Sequence, residues 1–430
     1  MRAVLRNPGW LLLASLGLFT TSGLPQGSLT PGMNVEVSDA VVIEGAGERP
    51  GQLMRLKDGA LLLCGETASL LSRDAGRTWQ AAPAIASGLV VERRDGSFYL
   101  LKGGANYTPE ARTSVGPKPG MFYARALHVP TLEDLRTPAQ LPWKQVSVAI
   151  ERAAAFTGDD GHDIVTPLFS GPLLELEDGT LVLATYGKFV GDTAPVEGFV
   201  PTKGEKWFKN RTYLLRSVDG GASWRYFSTV AYDGKTGQES FCEPALVDVG
   251  KGELLAVMRT GRFSPLFQAR SADGGKNWQQ PVLLRTLGLD PQLVVMPGGM
   301  VACSFGWRPK KIISAPGGGG YLAAAEDYRR RYQNDVGIED PSSAAGDYVM
   351  FSMNKGQTWT KPVRIAAPLT VGYTRLAATG TNSCLVLSQR FIIPGESSAS
   401  ILQKWERDWD SVAKSARRVF EARTVTVRNE

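Results

Sequence analysis

Histidine and cysteine are scarce in this chain, whose 430 residues include two His and four Cys. With only His128 and His162 available, a Cys/His zinc site is not expected, and the widely separated cysteines do not make a disulfide framework. Cys64, Cys303 and Cys384 lie in apolar, strand-like runs. The sequence therefore predicts buried free thiols, and it indicates no metal or organic cofactor beyond the open alternative of a structural Ca²⁺.

Dense runs of one charge are also missing. The formal net charge of +6 is mild for this length, and no basic run is interleaved with aromatic residues, so nucleic acid is not an expected partner. Hydrophobic residues make up 43% of the chain and charged residues 21%. That composition supports a large buried core and excludes a disordered or fibrous chain.

Long apolar runs are absent except near the start, where Arg2 and Arg6 precede an apolar run from Trp10 to Phe19. A basic start, a short apolar run and then small residues are typical of a secretory signal peptide. The alternative is a membrane anchor, but the run is far shorter than the roughly 20 residues that span a bilayer. We predict a signal peptide over 1–26, a secreted or periplasmic protein, and no stable membrane insertion after its removal.

An eight-residue motif, S-x-[DN]-x-G-x-[TSN]-W, occurs four times, and we call each copy a box turn. Ser and Asp side chains can hydrogen-bond the backbone of a turn, Gly supplies a positive φ, and Trp provides an apolar body to bury. The copies are SRDAGRTW (72–79), SVDGGASW (217–224), SADGGKNW (271–278) and SMNKGQTW (352–359). Each predicts a hairpin turn with a packing anchor.

A second repeat, a turn followed by an apolar strand, predicts six hairpins. The copies are LKDGALLL (56–63), RRDGSFYLL (93–101), LEDGTLVLA (176–184), VGKGELLAV (249–257), MPGGMVACS (296–304) and ATGTNSCLVL (378–387). Together the repeats predict an all-β, six-bladed β-propeller over 34–430. The segment from Asn34 to Ile43 is expected to complete the last blade, and residues 399–422 are expected to be helix-like.

The box turns resemble the Asp-box (BNR) motifs of the sialidase (neuraminidase) superfamily, and the resemblance covers most of the chain after residue 34. It implies structural roles for Asp74, Asp219 and Asp273, because these turns lie at the outer edge of the blades. It also implies an exported sialidase-like glycoside hydrolase that removes a terminal acidic sugar from glycans or glycoconjugates.

The resemblance extends to individual site residues. ERPGQLMRLKDGALLL resembles the segment of the family's first clamp arginine and implies Arg49 in that role, although Gly51 stands where the family has Pro. FCEPALVDVGKGELLAVMR resembles the Glu-Pro strand pair, which implies Glu243 as the partner of the nucleophile and Arg259 as the second clamp arginine. VGYTRLAATG resembles the Tyr-Ser-Asp-Leu segment and implies Tyr373 as the nucleophile.

Two positions depart from the family pattern. The third clamp arginine is missing before the last box turn, where Gly346 and Asp347 stand, and Arg308 is the nearest substitute. The general acid is missing because CGETASLLSRDAG leads directly into a box turn. Glu66 or Asp163 is the remaining candidate acid.

Three functions stay open. The first is a retaining exo-glycosidase for sialic acid or a related acidic sugar, with Tyr373 and Glu243 as the nucleophile pair. The second is a glycosidase of different substrate that uses carboxylates at Glu66, Asp163 or Glu243. The third is a non-catalytic propeller that binds glycans or proteins.

Overall fold

The structure is a computed structural model. It describes residues 33–45, 50–65, 68–82, 88–103, 114–115, 120–135, 141–154, 156–157, 163–164, 171–197, 199–200, 208–261, 264–307, 320–321, 346–366, 369–407, 412 and 415–429. The predicted signal peptide lies outside these residues. Among the helices of the described part, none has the length and apolar character needed to cross a membrane.

The fold is all-β, as predicted, and most of it consists of antiparallel four-stranded units. Sheet A is a hairpin-connected meander in which each strand pairs with the next along the chain. Its strands are Pro50–Arg55, Leu61–Gly65, Ser69–Ser72 and Gln80–Ala82. The predicted Asp-Gly hairpin joins the first two strands, and the first box turn joins the last two.

Sheet B is a ten-stranded sheet made of two such units. Its first half has the strands Leu89–Glu92, Phe98–Lys102, Met121–Val129 and Lys144–Ala149, with Ser114–Val115 alongside. Its second half has Leu173–Glu175, Leu181–Phe189, Arg211–Ser217 and Ser223–Ala231, with Ala153–Ala154 alongside. The halves join where the last strand of each pairs with the other in parallel, from Ser147 opposite Ser223 to Ala149 opposite Arg225.

Sheets C and D repeat the four-stranded meander. Sheet C has Cys242–Asp248, Leu254–Arg259, Pro265–Ser271 and Val282–Leu287. Sheet D has Leu289–Val295, Val301–Trp307, Gly346–Ser352 and Val363–Ala366. Two short antiparallel pairs lie outside the large sheets: Phe156–Thr157 with Asp163–Ile164, and Phe199–Val200 with Gly320–Tyr321.

Sheet E joins the two ends of the described chain. Its main strands are Thr370–Ala378, Ser383–Ile392, Arg417–Asn429 and Met33–Val37, and Val41–Ile43 pairs with the same long third strand. The predicted completion of the last sheet by the segment from Asn34 to Ile43 is confirmed.

The helix predicted over 399–422 is wrong in its last part. The α-helix spans Ser398–Arg407, whereas residues 417–422 belong to the strand Arg417–Asn429. Phe420 and Ala422 are buried against the first strands of sheet A, so burial in a sheet outweighs the local helical pattern. A 3₁₀ turn spans Glu133–Leu135.

The box turns have the hydrogen bonds that their residues predict. In the second copy, the Ser217 hydroxyl donates to Asp219 at 2.7 Å, and the N–H of Ser223 donates to the same carboxylate at 3.0 Å. The N–H of Gly221 donates to the Ser217 oxygen at 2.9 Å. The other three copies repeat the pattern, with Asn354 replacing the aspartate in the last.

Three box turns are also bound to the preceding unit by a polar side chain. The Tyr99 hydroxyl donates to the carbonyl of Gly221 at 2.8 Å and accepts from the indole N–H of Trp224 at 3.0 Å. In the next two units, the Ser228 hydroxyl bonds both the Gly275 carbonyl and the Trp278 indole, and the Gln268 amide bonds both the Gly356 carbonyl and the Trp359 indole. The box turn therefore fastens each of these units to its neighbour.

The hydrophobic core lies between successive units. Leu62 packs with Leu100 between sheets A and B, and Leu214 packs with Met258 between sheets B and C. Further clusters join the two halves of sheet B, sheets C and D, sheets D and E, and sheets E and A. All four cysteines are buried and free, as predicted for three of them.

Candidate active site

Four strands that begin a unit share an irregularity at their start. The register shifts between Pro50 and Leu53 in sheet A, Cys242 and Ala245 in sheet C, Leu289 and Gln292 in sheet D, and Thr370 and Thr374 in sheet E. An irregularity of this kind bends a strand and redirects its side chains. The shifted stretches contain Gly51, Glu243, Asp290 and Tyr373, and these four residues meet in one site.

Glu243 and Asp290 occupy equivalent positions on neighbouring strands. Each has a φ of +43°, and each is followed by a proline, Pro244 and Pro291. A positive φ is unfavourable for a residue with a side chain, and a following proline restricts that residue further. Such strain persists where the surrounding structure enforces it, and it concentrates at functional sites.

The predicted nucleophile pair is close in space although 130 residues separate its members. The Tyr373 hydroxyl donates to Oε1 of Glu243 at 3.3 Å. Glu243 is largely buried, with 14% of its side chain exposed, and its Oε2 accepts the backbone N–H of Asp290 at 3.1 Å. The carboxylate is thus held at both oxygens.

Arg259 lies beside Glu243, as the sequence predicts, but two carboxylates occupy its guanidinium. Nη1 binds Oε1 of Glu243 at 2.6 Å, and Nη2 binds Oε1 of Glu239 at 3.0 Å. Burial alone would lower the pKa of Arg259, but the carboxylates of Glu239 and Glu243 outweigh burial and raise it well above its ordinary value. Arg259 is therefore a fixed positive charge beside Glu243.

A second ion pair, between Arg375 and Asp290, adjoins this cluster. Nη1 of Arg375 binds Oδ2 of Asp290 at 2.7 Å, and its Nε donates to the backbone carbonyl of Gly51. Burial raises the pKa of Asp290 to about 6, the Glu243 carboxylate adds to the rise, and Arg375 opposes it. Strands from sheets A, C, D and E are tied together here.

Gly51 is explained by its surroundings. A Cβ at this position would lie 1.7 Å from the carbonyl oxygen of Cys64, which is closer than any two such atoms can approach. Glycine replaces the family's proline here because the two strands approach each other too closely for a side chain. The carbonyl of Gly51 accepts a hydrogen bond from Nε of Arg375.

A second tyrosine and a thiol complete the described surroundings. Burial, and after it the charge of Glu243, raises the pKa of Tyr186 well above its ordinary value. Burial and then Glu239 raise the pKa of the Cys242 thiol, which donates to Oε2 of Glu239 at 3.6 Å. Both groups stay protonated at neutral pH, so neither supplies an anionic nucleophile.

The remaining predicted site residues cannot be placed. Arg49, Glu66 and Arg308 lie outside the described residues. The backbone of Asp163 pairs with Thr157 in a short antiparallel pair, but its side chain is outside the described part of the structure. Along the chain, Arg49 directly precedes the irregular start of Pro50–Arg55, and Arg308 directly follows the strand Val301–Trp307.

Asp290 and Arg375 were not predicted from the sequence, although a signal for Asp290 exists. The dipeptide Glu243-Pro244 recurs as Asp290-Pro291 at the start of the next unit. Comparing the units would have aligned the two carboxylates. Arg375 has no such signal, because it stands where the resembling Tyr-Ser-Asp-Leu segment has an aspartate.

Part of the chain matches a known family of repeat domains. Residues 157–297 match the model of the BNR repeat-like domain. The match confirms the BNR repeats that the box turns predicted. A search of the curated proteins found no match.

Solved structures with a related fold include proteins of different activities. A protein of unknown function from Dyadobacter fermentans DSM 18053 is 16% identical with a TM-score of 0.53, and the alignment covers 93% of this chain and 100% of that one. The Hadza microbial sialidase Hz136 is 16% identical with a TM-score of 0.47, covering 79% and 62%. An α-L-arabinanase from Penicillium chrysogenum is 13% identical with a TM-score of 0.47, covering 90% and 98%. At these identities the likeness concerns the fold alone.

Proposed function

We propose that this BNR repeat-like chain is an exported glycoside hydrolase that removes a terminal acidic sugar, sialic acid or a relative, from glycans. The proposal rests on one observation above the others: the Tyr373 hydroxyl donates to Glu243 at 3.3 Å, on irregular starts of two different strands. A hydrogen-bonded nucleophile and base are the minimum requirement for covalent catalysis.

The proposal includes the architecture. Sheets A, C, D and E and the two halves of sheet B would be six blades of a propeller, and each core cluster would fill the space between two adjacent blades. The hydrophobic cluster of Leu53, Leu63, Leu385 and Leu387, which joins sheets E and A, supports a closed ring. The first strand of each blade would then line a central channel, with the site at its mouth.

The chemistry proposed is retaining. The Tyr373 oxygen attacks the anomeric carbon as the bond to the aglycone breaks, and Glu243 takes the phenolic proton. An acid donates a proton to the leaving oxygen, and Asp163 and Glu66 are the proposed candidates. Water then attacks the anomeric carbon of the glycosyl-tyrosine, the deprotonated acid takes a proton from that water, and Glu243 returns its proton to the departing Tyr373 oxygen. A neutral phenol suits a substrate carboxylate beside the anomeric carbon, because a carboxylate nucleophile would be repelled there.

The charge of the described cluster sets a condition on the substrate. Two arginines, Arg259 and Arg375, face three carboxylates, Glu239, Glu243 and Asp290, so the cluster is one negative charge in excess when all are ionised. A substrate carboxylate therefore needs further cations. We propose that Arg49 and Arg308, which adjoin the described strands along the chain, supply these cations beside Arg259.

The same charge excess favours a second candidate function. If Arg49 and Arg308 do not reach the site, a neutral sugar would fit it better, and a glycosidase of different substrate would use carboxylates such as Glu243. Glycan or protein binding without turnover is the third outcome that an assay distinguishes.

The test is release of a fluorogenic aglycone from a panel of sialosides, uronides and neutral glycosides such as arabinosides. We expect turnover of an acidic sugar, with the anomeric configuration retained in the first product seen by NMR. Tyr373→Phe and Glu243→Gln should each lower kcat by more than about 100-fold. Turnover of neutral glycosides alone would favour the second candidate, and no turnover on the panel would leave binding.

Matched controls keep the result specific. Glu253→Gln removes another ion-paired glutamate, which binds Arg270 of sheet C and Lys355 in the last box turn. Tyr123→Phe removes another half-buried phenol, on the strand Met121–Val129. Both variants should keep wild-type kcat, and a comparable loss in either would show that the effects at Glu243 and Tyr373 reflect general damage.

A further inference from the structure

We infer that Asp290 and Arg375 are positioning residues that fix the Glu243 carboxylate against Tyr373. This inference rests on the proposed function for its kinetic consequences, and it has a structural readout that does not depend on activity. Neither the sequence motifs nor the similarity to known proteins assigned a role to Asp290 or Arg375.

The contact that does the positioning is a backbone bond. The N–H of Asp290 donates to Oε2 of Glu243 at 3.1 Å. Oε1 of the same carboxylate faces the Tyr373 hydroxyl at 3.3 Å and Nη1 of Arg259 at 2.6 Å. With a donor on Oε2, the carboxylate plane is fixed, and Oε1 is presented to the phenol.

The direction of that N–H depends on a strained backbone. Asp290 has a φ of +43° and precedes Pro291. Aspartate tolerates this conformation better than most residues, but the conformation persists only when contacts enforce it. Its carboxylate supplies such a contact through Oδ2, which binds Nη1 of Arg375 at 2.7 Å.

Arg375 connects this contact back to the nucleophile. It lies two residues after Tyr373 on the same strand, and alternate residues of a strand share a face. Its Nε donates to the carbonyl of Gly51, and its Nη1 also donates to the carbonyl of Thr374 at 2.6 Å. The arginine is therefore held from sheets A and E while it holds Asp290 in sheet D. Tyr373 is thus bonded to Glu243, Glu243 to Asp290, and Asp290 to Arg375, which lies on the same strand as Tyr373.

The kinetic test uses Asp290→Asn, Arg375→Gln, Arg375→Lys and the double variant Asp290→Asn/Arg375→Gln. Asparagine keeps the size of Asp290 and its tolerance of positive φ but removes the charge that binds Arg375. We expect kcat to fall about 10- to 100-fold in either single variant with KM within about threefold, as for a misplaced catalytic group. Arg375→Lys should retain more kcat than Arg375→Gln.

The double variant separates positioning from simple ion pairing. If the pair only neutralises two buried charges, removing both should restore kcat toward the wild-type value. Positioning predicts no recovery, because the backbone of Asp290 stays released. Recovery in the double variant would overturn the inference. Glu175→Gln is the control, since its ion pair with Arg93 is similarly buried and links two other units.

Crystal structures of the wild type and Asp290→Asn give a test that needs no substrate. The expected result is a rotated Glu243 carboxylate with the Tyr373 hydroxyl beyond hydrogen-bonding distance. An unmoved carboxylate would overturn the inference even in an active enzyme. If the wild type turns over nothing but the carboxylate rotates, the proposed function fails and the positioning role stands.

Discussion

Replacing Tyr99 with phenylalanine removes one oxygen atom that serves two buried partners at once. The hydroxyl donates to the carbonyl of Gly221 at 2.8 Å and accepts from the Trp224 indole at 3.0 Å. Tyr99 and Trp224 are each only 2% exposed, so water cannot take the place of the lost oxygen. Phenylalanine keeps the ring and its packing, and the change isolates the two hydrogen bonds.

The expected loss of stability follows from the two polar groups that lose their partner, the Gly221 carbonyl and the Trp224 indole N–H. A buried donor or acceptor left without a partner costs about 1–3 kcal/mol, so two would cost about 2–6 kcal/mol. The structure also shows a route to relief, because the indoles of Trp79 and Trp278 donate directly to the glycine carbonyl of their own box turns. A turn of Trp224 that brings its indole N–H onto the Gly221 carbonyl would recover part of this cost. We therefore expect a loss of about 2–4 kcal/mol, at the lower end of the sum.

The assay is urea unfolding of the wild type, Tyr99→Phe and Tyr123→Phe, followed by fluorescence and by circular dichroism. The Tyr123 hydroxyl makes no hydrogen bond within the described residues, so its loss should change the unfolding free energy by less than about 0.5 kcal/mol. Activity of Tyr99→Phe should equal that of the wild type under conditions where it is folded, because the box turn supports the fold and not the chemistry.

Two results would refute this reasoning. A Tyr99→Phe variant within about 0.5 kcal/mol of the wild type would show that the bridge contributes nothing to stability. A loss of kcat with no loss of stability would show that this box turn acts on the site.

Two further predictions concern the box turns and the site strand. Hydrogen bonds from Asn277, first from its backbone and then from its side chain, lower the pKa of Asp273 to about 2. Because the folded pKa lies below the unfolded value, this contribution to stability is full above about pH 4 and is lost as the pH falls toward 2. The loss of urea stability between pH 5 and pH 2.5 should therefore be smaller in Asp273→Asn than in the wild type, and an equal loss would contradict the assignment. Asn354 already occupies this position in another copy, so the variant should fold. Gly51→Ala places a Cβ 1.7 Å from the Cys64 carbonyl oxygen. It should lower the free energy of unfolding, measured in urea, by about 1–3 kcal/mol. Gly88→Ala is a milder control because the nearest contact of its Cβ would be 3.0 Å, and equal losses in the two variants would contradict the steric explanation.

Local features of the fold were predictable because each resides in a few consecutive residues. The box turns close through bonds between residues two to four apart, as from Ser217 to Asp219 and from Ser223 to Asp219. The hairpin at 176–184 likewise depends on Gly179 in a positive-φ turn. The helix predicted over 399–422 went wrong where a local pattern competed with sheet pairing at the far end of the chain, which puts Phe420 opposite Ile43.

Part of the site was also within reach of the sequence. Glu243 and Tyr373 were predicted from strand-start segments, and the structure brings them together. The equivalence of Glu243-Pro244 and Asp290-Pro291 was visible as a repeat but carried no chemical meaning alone. Arg259 was placed beside Glu243, yet its engagement by Glu239 shows in no pattern of residues.

The sequence by itself determined the four box turns, the hairpins and the all-β class, because short-range hydrogen bonds and alternating apolar residues specify them locally. Only the tertiary structure decided which further side chains join Glu243 and Tyr373 in the site. Glu243, Asp290 and Arg375 come from three sheets, and their bonds join atoms of residues 47 and 85 positions apart. Tyr99, Ser228 and Gln268 bridge the box turns with three different functional groups. The site residues are far apart along the chain, and the bridging side chains differ in chemistry, so no sequence pattern indicates either arrangement. Both depend on the packing of one unit against the next.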